Sequence, residues 1–294
     1  MPMRKIWNNQ YEQLRKIGEG ASGRVMLARD LHLNRLVAIK EMEQIREIRR
    51  EMELLKALKH PGLPDIYDYF EEDRHGFLVM EYVEGVTLKE YLEQHGKPEL
   101  TQAIVWMKEL LAILVYLHEQ HPAVVYRDLK PANLIIQEEG HLKLIDLGGA
   151  FFRCHNQSEE RVSIGTPGYS APEQWNGIQA DVSCDIFSFG AVAHELLTGV
   201  NPLKPPYERR PVRRYDRRIP VSYEQMIQKC TREHPKERYA SMREVLKALE
   251  DCETIKRRWK WKGLHLCRCL LTAIPVTMGA LLVILPLLNG IPRS

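Results

Sequence analysis

Net charge is almost absent from this sequence: 42 Lys and Arg stand against 39 Asp and Glu in 294 residues, a formal +3. A chain so balanced lacks the basic excess with which general nucleic-acid binders neutralise phosphates. Paired cysteines are lacking too. The six present (Cys154, Cys184, Cys230, Cys252, Cys267 and Cys269) form no CxxC, and the Cys and His residues show no zinc-site spacing. The first residues, MPMRKIWNNQYEQL, have no apolar stretch of the secretory kind. Together these absences argue against a disulfide framework and for a reducing compartment. There is no internal repeat, hence no solenoid. What is present, 44% hydrophobic and 28% charged residues, is the composition of a globular protein. The length suits about two domains or lobes.

The overall balance hides an asymmetry. Seven of the basic residues lie after Thr254 and none of the acidic ones, so the body carries 35 basic against 39 acidic residues, a net of −4. The only long hydrophobic run follows: Cys269 to Leu288 reads CLLTAIPVTMGALLVILPLL, twenty residues without a charge. As a helix it spans about 30 Å, the hydrocarbon thickness of a bilayer. Pro275, Gly279 and Pro286 are tolerated better in lipid than in a soluble helix. The basic stretch Lys256 to Arg268, with Trp259 and Trp261, reads as a juxtamembrane segment that keeps the body on the cytoplasmic side. The sequence therefore predicts a single-pass, C-terminal anchor in the cell membrane. Cys267 and Cys269 at its edge are candidate S-acylation sites, or simply small apolar residues.

Residues 11–39 alternate strand-like segments around Gly18-Glu-Gly20-Ala-Ser-Gly23. Glycines at these places let backbone N–H groups approach phosphate oxygens. Val25 and Leu27 continue a strand, so the loop is a hairpin lid and not the opening of a dinucleotide-binding helix. In Val37-Ala38-Ile39-Lys40, period two puts Ala38 and Lys40 on one face. A small residue and a cation on the pocket side suit a base and its phosphates. EMEQIREIRREMELLKALKH reads as a helix with Ile45, Ile48, Met52, Leu55 and Leu58 at 3–4 spacing. Glu51 falls on that apolar face, where a carboxylate needs a partner, and Lys40 is the natural one.

With these motifs in order, the chain resembles the eukaryotic-type serine/threonine protein kinases, of the membrane-anchored kind found in bacteria, over roughly residues 11–250. The resemblance implies an α+β, two-lobed fold: a β-rich N-lobe and hinge over 11–83 and a mainly α C-lobe over 84–252. A linker (253–268), one transmembrane helix (269–288) and a short tail (289–294) follow. It also implies an ATP site formed by Ile17, Gly18, Glu19, Gly20, Ala21, Ser22, Gly23, Val25, Ala38, Lys40, Met80 (gatekeeper), the hinge residues Glu81 and Val83, and Ile135. In Tyr126-Arg127-Asp128-Leu-Lys130-Pro-Ala-Asn133 it makes Asp128 the base and Lys130 the neutraliser of phosphoryl charge, with Lys40 and Glu51 the remaining catalytic residues. Asn133 and Asp146 of Asp146-Leu147-Gly148 become ligands of Mg²⁺ or Mn²⁺. Thr166, Glu173 of Ala-Pro-Glu, Asp185 and Arg238 match structural positions, and Ser241 with Glu244 reads as a capping box.

Two residues depart from the common pattern. Tyr126 stands where histidine is usual and Leu147 where phenylalanine is usual, both in packing positions, so altered switching and not lost activity is expected. Lys130 and Gly165-Thr166-Pro-Gly-Tyr169 point to Ser/Thr acceptors in proteins. Arg127 beside the base suggests an activation-loop phosphate, with Ser158 and Ser163 as candidates. Cys154 carries no sign of a lowered pKa. KPPYERRPVRRYDRRI (Lys204 to Ile219) holds three Arg pairs, either a docking surface for acidic partners or lipids, or a solvated loop. A silent nucleotide-binding scaffold and a small-molecule kinase are the competing functions. Partners are protein substrates and the membrane, not nucleic acid, and a homodimer stays open.

Overall fold

The computed structural model describes residues 5–20, 23–153, 165–175, 181–205 and 209–254. Ala21 and Ser22 of the glycine loop, Cys154, Ser158 and Ser163 of the activation segment, and the expected membrane span with most of its linker lie outside them. The described residues fall into two units, one ending at Ala248 and one starting at Leu249. Both lobes belong to the first; of the second, residues 249–254 are helical.

The N-terminal lobe is a six-stranded antiparallel sheet: β1 (Ile6–Trp7), β2 (Tyr11–Gly20), β3 (Gly23–Asp30), β4 (Arg35–Met42), β5 (Ile66–Glu72) and β6 (His75–Glu81). Its order is β1-β2-β3-β4-β6-β5. Alternation along β4 divides the sheet. Val37 and Ile39 join Trp7, Tyr11, Met26, Ala28, Phe77 and Val79 in an apolar core on one face. The register places Val25 and Leu78 opposite Lys40, and Leu27 and Met80 opposite Ala38, so the second face carries the site residues.

Helix α1 (Ile45–Ala57) packs on β5 and β6. It begins later than the periodicity suggests, because Glu41 and Met42 still pair with Phe77 and Gly76 in the sheet. Its buried stripe is Ile48, Glu51, Leu54 and Leu55, with Met52 displaced to the flank. Leu54, not singled out by the 3–4 spacing, lies beside Glu51 on the buried arc.

The second lobe is mainly helical: α2 (Leu88–His95), α3 (Leu100–His118), α4 (Pro172–Trp175), α5 (Val182–Thr198) and α6 (Val221–Cys230). Small ladders join β7 (Val86–Thr87) to β9 (Leu134–Ile136) and β10 (Leu142–Leu144), and β8 (Val124–Val125) to β11 (Phe151–Phe152). Thr87 and Glu90 cap α2 reciprocally, and Gly199 at φ 72° ends α5. A final helix opens at residue 242: Ser241 accepts from the Glu244 N–H and Glu244 accepts from the Ala240 N–H. By length and composition α3 is apolar enough to cross a membrane, but Met107, Leu110, Leu111, Leu114 and their neighbours are buried in the lobe. It is a core helix. Cys184, Cys230 and Cys252 are buried thiols outside any disulfide.

One ion pair locks the lobe internally. Arg238 gives both terminal nitrogens to Glu173, at 2.8 Å for Nη2–Oε2, and donates further to the carbonyls of Ser183, Glu233 and Arg232. Both partners are buried. Glu173→Ala should therefore lower unfolding stability in urea by about 3–5 kcal/mol, since it strands a buried guanidinium. Arg238→Ala on top of it should add much less than Arg238→Ala alone.

Candidate active site

Lys40 reaches the second face of the sheet from the middle of β4, where only 3% of its side chain is exposed. An ammonium group there requires counter-charges. Its Nζ donates to Glu51 Oε2 at 2.6 Å and to Asp146 Oδ1 at 2.7 Å. Burial disfavours the charge, yet the two carboxylates outweigh it and hold the Lys40 pKa above its ordinary value. Glu51 also accepts the backbone N–H of Leu147. Helix α1 and the Asp-Leu-Gly segment thus meet on one carboxylate, a contact made by backbone and therefore invisible in the Leu147 side chain. Asp146 sits in the left-handed region at φ 62° and accepts the Gly148 N–H at 3.2 Å.

The loop after β8 is arranged by Asp185 of α5, which is fully buried. Its carboxylate accepts the backbone N–H groups of Tyr126 and Arg127, both at 2.8 Å, and is bonded to His118 Nε2 at 2.8 Å. That support holds Arg127 at φ 69°, a conformation uncommon for a non-glycine residue. Arg127 Nε donates to the Gly149 carbonyl at 2.6 Å and its guanidinium stacks 4.3 Å from the Phe151 ring. Tyr126 is buried and donates its hydroxyl to the Ile145 carbonyl at 2.6 Å. Burial raises its pKa, so it stays a donor. Where histidine is usual, a phenol here ties the catalytic loop to the residue before Asp146.

Asp128 lies at the centre of a polar triangle. Lys130 Nζ donates to Asp128 Oδ2 at 2.6 Å and to Thr166 Oγ1 at 3.1 Å, while Thr166 donates to Asp128 Oδ1 at 2.8 Å. Asn133 Nδ2 donates to the Asp128 carbonyl at 3.0 Å. Its amide oxygen is therefore the atom turned elsewhere. Among the described residues no three His, Cys, Asp or Glu form a ready-made metal cage. An amide oxygen and a carboxylate are instead the sparse, hard donor set with which Mg²⁺ is held when phosphates complete its shell. Asn133 and Asp146 fit that group.

On the adenine side, Ala38, Met80 and Val83 are buried and Ile17, Val25 and Ile135 partly so. Glu81 is fixed twice: its N–H donates to the Asp65 carbonyl at 2.8 Å, and Lys143 of β10 grips its carboxylate at 2.6 Å. The sequence shows Lys143 only as a polar residue in a short strand, so this clamp escapes a motif-based reading. The glycines of the lid differ in their need. Around Gly20 there is open space, whereas a Cβ on Gly23, at φ 111°, would lie 2.4 Å from the Glu41 carbonyl oxygen. Gly23 is required by the β3–β4 approach whatever it does for phosphates.

These placements make two groups of direct contacts, Lys40 with Glu51 and Asp146, and Asp128 with Lys130, Thr166 and Asn133, joined by the Ile145 N–H donated to the Asn133 carbonyl at 2.9 Å. The protein kinase domain family matches residues 11–259. The chain belongs to the protein kinase family. This kinase is 35% identical over 258 residues to the serine/threonine-protein kinase PrkC of Bacillus subtilis, covering 81% of the chain and 40% of that protein. It is 29% identical over 279 residues to a probable serine/threonine-protein kinase PknB of Lactococcus lactis, covering 88% of the chain and 44% of that protein. Aurora-2 of Arabidopsis thaliana is 32% identical over 215 residues, 70% of the chain and 73% of that protein. The chain thus spans about two-fifths of the length of the bacterial relatives.

A further buried pair stands behind the Thr166 loop of the kinase. Tyr169 donates its hydroxyl to Glu195 of α5, and Arg209 Nη2 donates to the Gly168 carbonyl at 2.6 Å. Burial, aided by Glu93, pushes the Glu195 pKa up to about 7, against the lowering effect of the Tyr169 hydrogen bond.

Two outcomes follow. Gly23→Ala should cost about 2 kcal/mol or more in thermal unfolding, while Gly20→Ala should stay within about 0.5 kcal/mol. For Glu195, the folded state holds a proton that the unfolded chain releases near pH 4.5. Its contribution is therefore complete below that pH and is lost as pH rises towards 7, by roughly 3 kcal/mol. Urea titrations of Glu195→Gln across this window should show that part of the slope removed.

Proposed function

We propose that this kinase transfers the γ-phosphate of ATP to Ser and Thr hydroxyls of proteins. The observation that carries the reading is the Asp128–Lys130–Thr166 triangle beside a Lys40 already paired to Glu51. Phosphoryl transfer asks the protein mainly for alignment and neutralisation of oxyanions. Asp128 orients the acceptor hydroxyl and takes its proton. Lys130, donating beside it, offsets charge on the transferred group. Lys40, kept cationic and aimed by Glu51, holds phosphate oxygens of the nucleotide. The glycine lid covers the phosphates, and Ala38, Val83 and Ile135 enclose the base against the Glu81 backbone. Asn133 and Asp146 would hold Mg²⁺ or Mn²⁺, which when bound supplies positive charge to the phosphates. The Thr166 hydroxyl, spent on Asp128 and Lys130, supports the Ser/Thr class.

The wider reading rests on sequence. Residues 11–83 form the N-lobe and hinge and 84–252 the C-lobe. Residues 253–268 form a basic linker, and 269–288 anchor the kinase on the inner face of the cell membrane, with 289–294 beyond. Ser158 and Ser163 are the autophosphorylation candidates, as serines of the activation segment in a kinase whose base is preceded by Arg127. The intact ion-pair network favours this over a silent scaffold.

The decisive experiment is transfer from γ-labelled ATP by the full chain, alone and with a generic protein acceptor, beside Asp128→Asn. Phosphoserine or phosphothreonine should appear with the parent protein and fall by at least about a hundredfold with the variant, at unchanged ATP affinity. Equal labelling by both would remove Asp128 from the chemistry.

A further inference from the structure

The Arg pairs between Lys204 and Ile219 are the one motif that the proposed reaction leaves without a role. The structure splits the first two pairs, whereas both members of the third, Arg217 and Arg218, are exposed. Arg209 turns inward, bonded to the Gly168 carbonyl with its guanidinium 5.1 Å from the Phe187 ring. Arg213 turns back on its own segment, its Nε donating to the Ile219 carbonyl at 3.1 Å and its N–H to Glu224 at 2.8 Å. Arg218 grips Asp216 at 2.8 Å, and Lys97 holds the same carboxylate at 2.8 Å. The other members, Arg210, Arg214 and Arg217, are exposed.

The backbone presenting them is pinned along its length. His194 Nε2 donates to the Arg210 carbonyl at 2.7 Å, Val212 is buried, and the Tyr215 ring meets His194 edge-on. On so fixed a support the backbone needs no further ordering on binding, and only the side-chain rotamers lose freedom. Their place matters equally. Arg209 is bonded to Gly168, two residues from Thr166, whose hydroxyl is bonded to Asp128. A polypeptide with a hydroxyl at Asp128 must cover the 165–169 loop with its neighbouring residues, and the arginine row begins there.

We propose that Arg214 and Arg217 form a docking surface for acidic segments of protein substrates, aspartate and glutamate side chains flanking the accepting hydroxyl. The proposal rests on the protein-kinase reading and names the substrate class of that same site. The bond of Arg209 to that loop, at the start of the row, favours a peptide over a lipid surface. Arg209 and Arg213 serve the fold, and the outward arginines read charge.

The test uses the full chain and fluorescent peptides sharing one acceptor serine, with aspartate, neutral or lysine flanks. Binding is followed by anisotropy and turnover by phosphate incorporation, at low and raised salt. Acidic flanks should improve both about tenfold over neutral ones at low salt, with the advantage shrinking as salt rises. The double variant Arg214→Glu with Arg217→Glu should switch preference to lysine flanks, with turnover of the neutral peptide and the unfolding temperature unchanged. Equal treatment of acidic and neutral flanks by the parent protein overturns the proposal. So does a double variant whose peptide preference stays the same as the parent's. Discrimination in binding without turnover of any peptide would uphold the docking surface and sink the kinase reading.

Discussion

Burying one ammonium group dictates much of how this molecule is put together. Lys40 lies on the inner face of a sheet with almost no access to water, so its charge survives only if carboxylates come to it. One comes from α1, which must then dock with Glu51 inward. The other comes from the helical lobe, which must turn Asp146 into a left-handed conformation to reach. Leu147 follows, and its N–H closes the circuit on Glu51. The same nitrogen that is suited to phosphate oxygens is thus the point where strand, helix and loop agree on their relative positions.

The helical lobe answers a similar demand with the opposite sign. Asp185 is an anion with no exposure, neutralised by donors and not by a formal cation of its own helix: two backbone N–H groups and a histidine. Those N–H groups belong to Tyr126 and Arg127, the two residues before Asp128. A strained φ at Arg127, which costs on the order of 1 kcal/mol by itself, is held by these bonds and by the contacts of its guanidinium with Gly149 and Phe151. Strain sits where the acceptor is positioned, and buried hydrogen bonds hold it there.

Much of the site was legible because its residues occur at spacings that only one geometry satisfies. Period two on β4 put Lys40 beside Ala38, and the 3–4 spacing of α1 turned Glu51 towards it. What could not be read were bonds made by backbone or by residues with no motif. The Leu147 N–H on Glu51 carries no side-chain signature. Lys143 on Glu81 joins residues 62 apart through a strand of three. Glu195 looks like one more helix acid until burial beside Tyr169 changes its protonation. Helix bounds were misjudged where sheet pairing took Glu41 and Met42 away from α1, since a ladder hydrogen bond outweighs an extra turn's propensity. In the arginine pairs, sequence offered a choice between solvation and docking, and the packed loop shows Arg209 and Arg213 spent on structure.

The sequence separations of these contacts carry a consequence for the order in which the chain is made. All six strands of the first sheet, and α1 with Glu51, precede residue 82, and neighbours in that sheet are mostly consecutive hairpins. Such local pairing forms early. Asp146, however, lies 106 residues beyond Lys40, and Arg238 lies 65 beyond Glu173. A nascent small lobe therefore emerges with its lysine paired to Glu51 alone, and the acceptor side is not locked until residue 238 has left the ribosome. Chemistry is withheld by timing: the nucleotide half of the cleft exists for most of synthesis before the half that could use it.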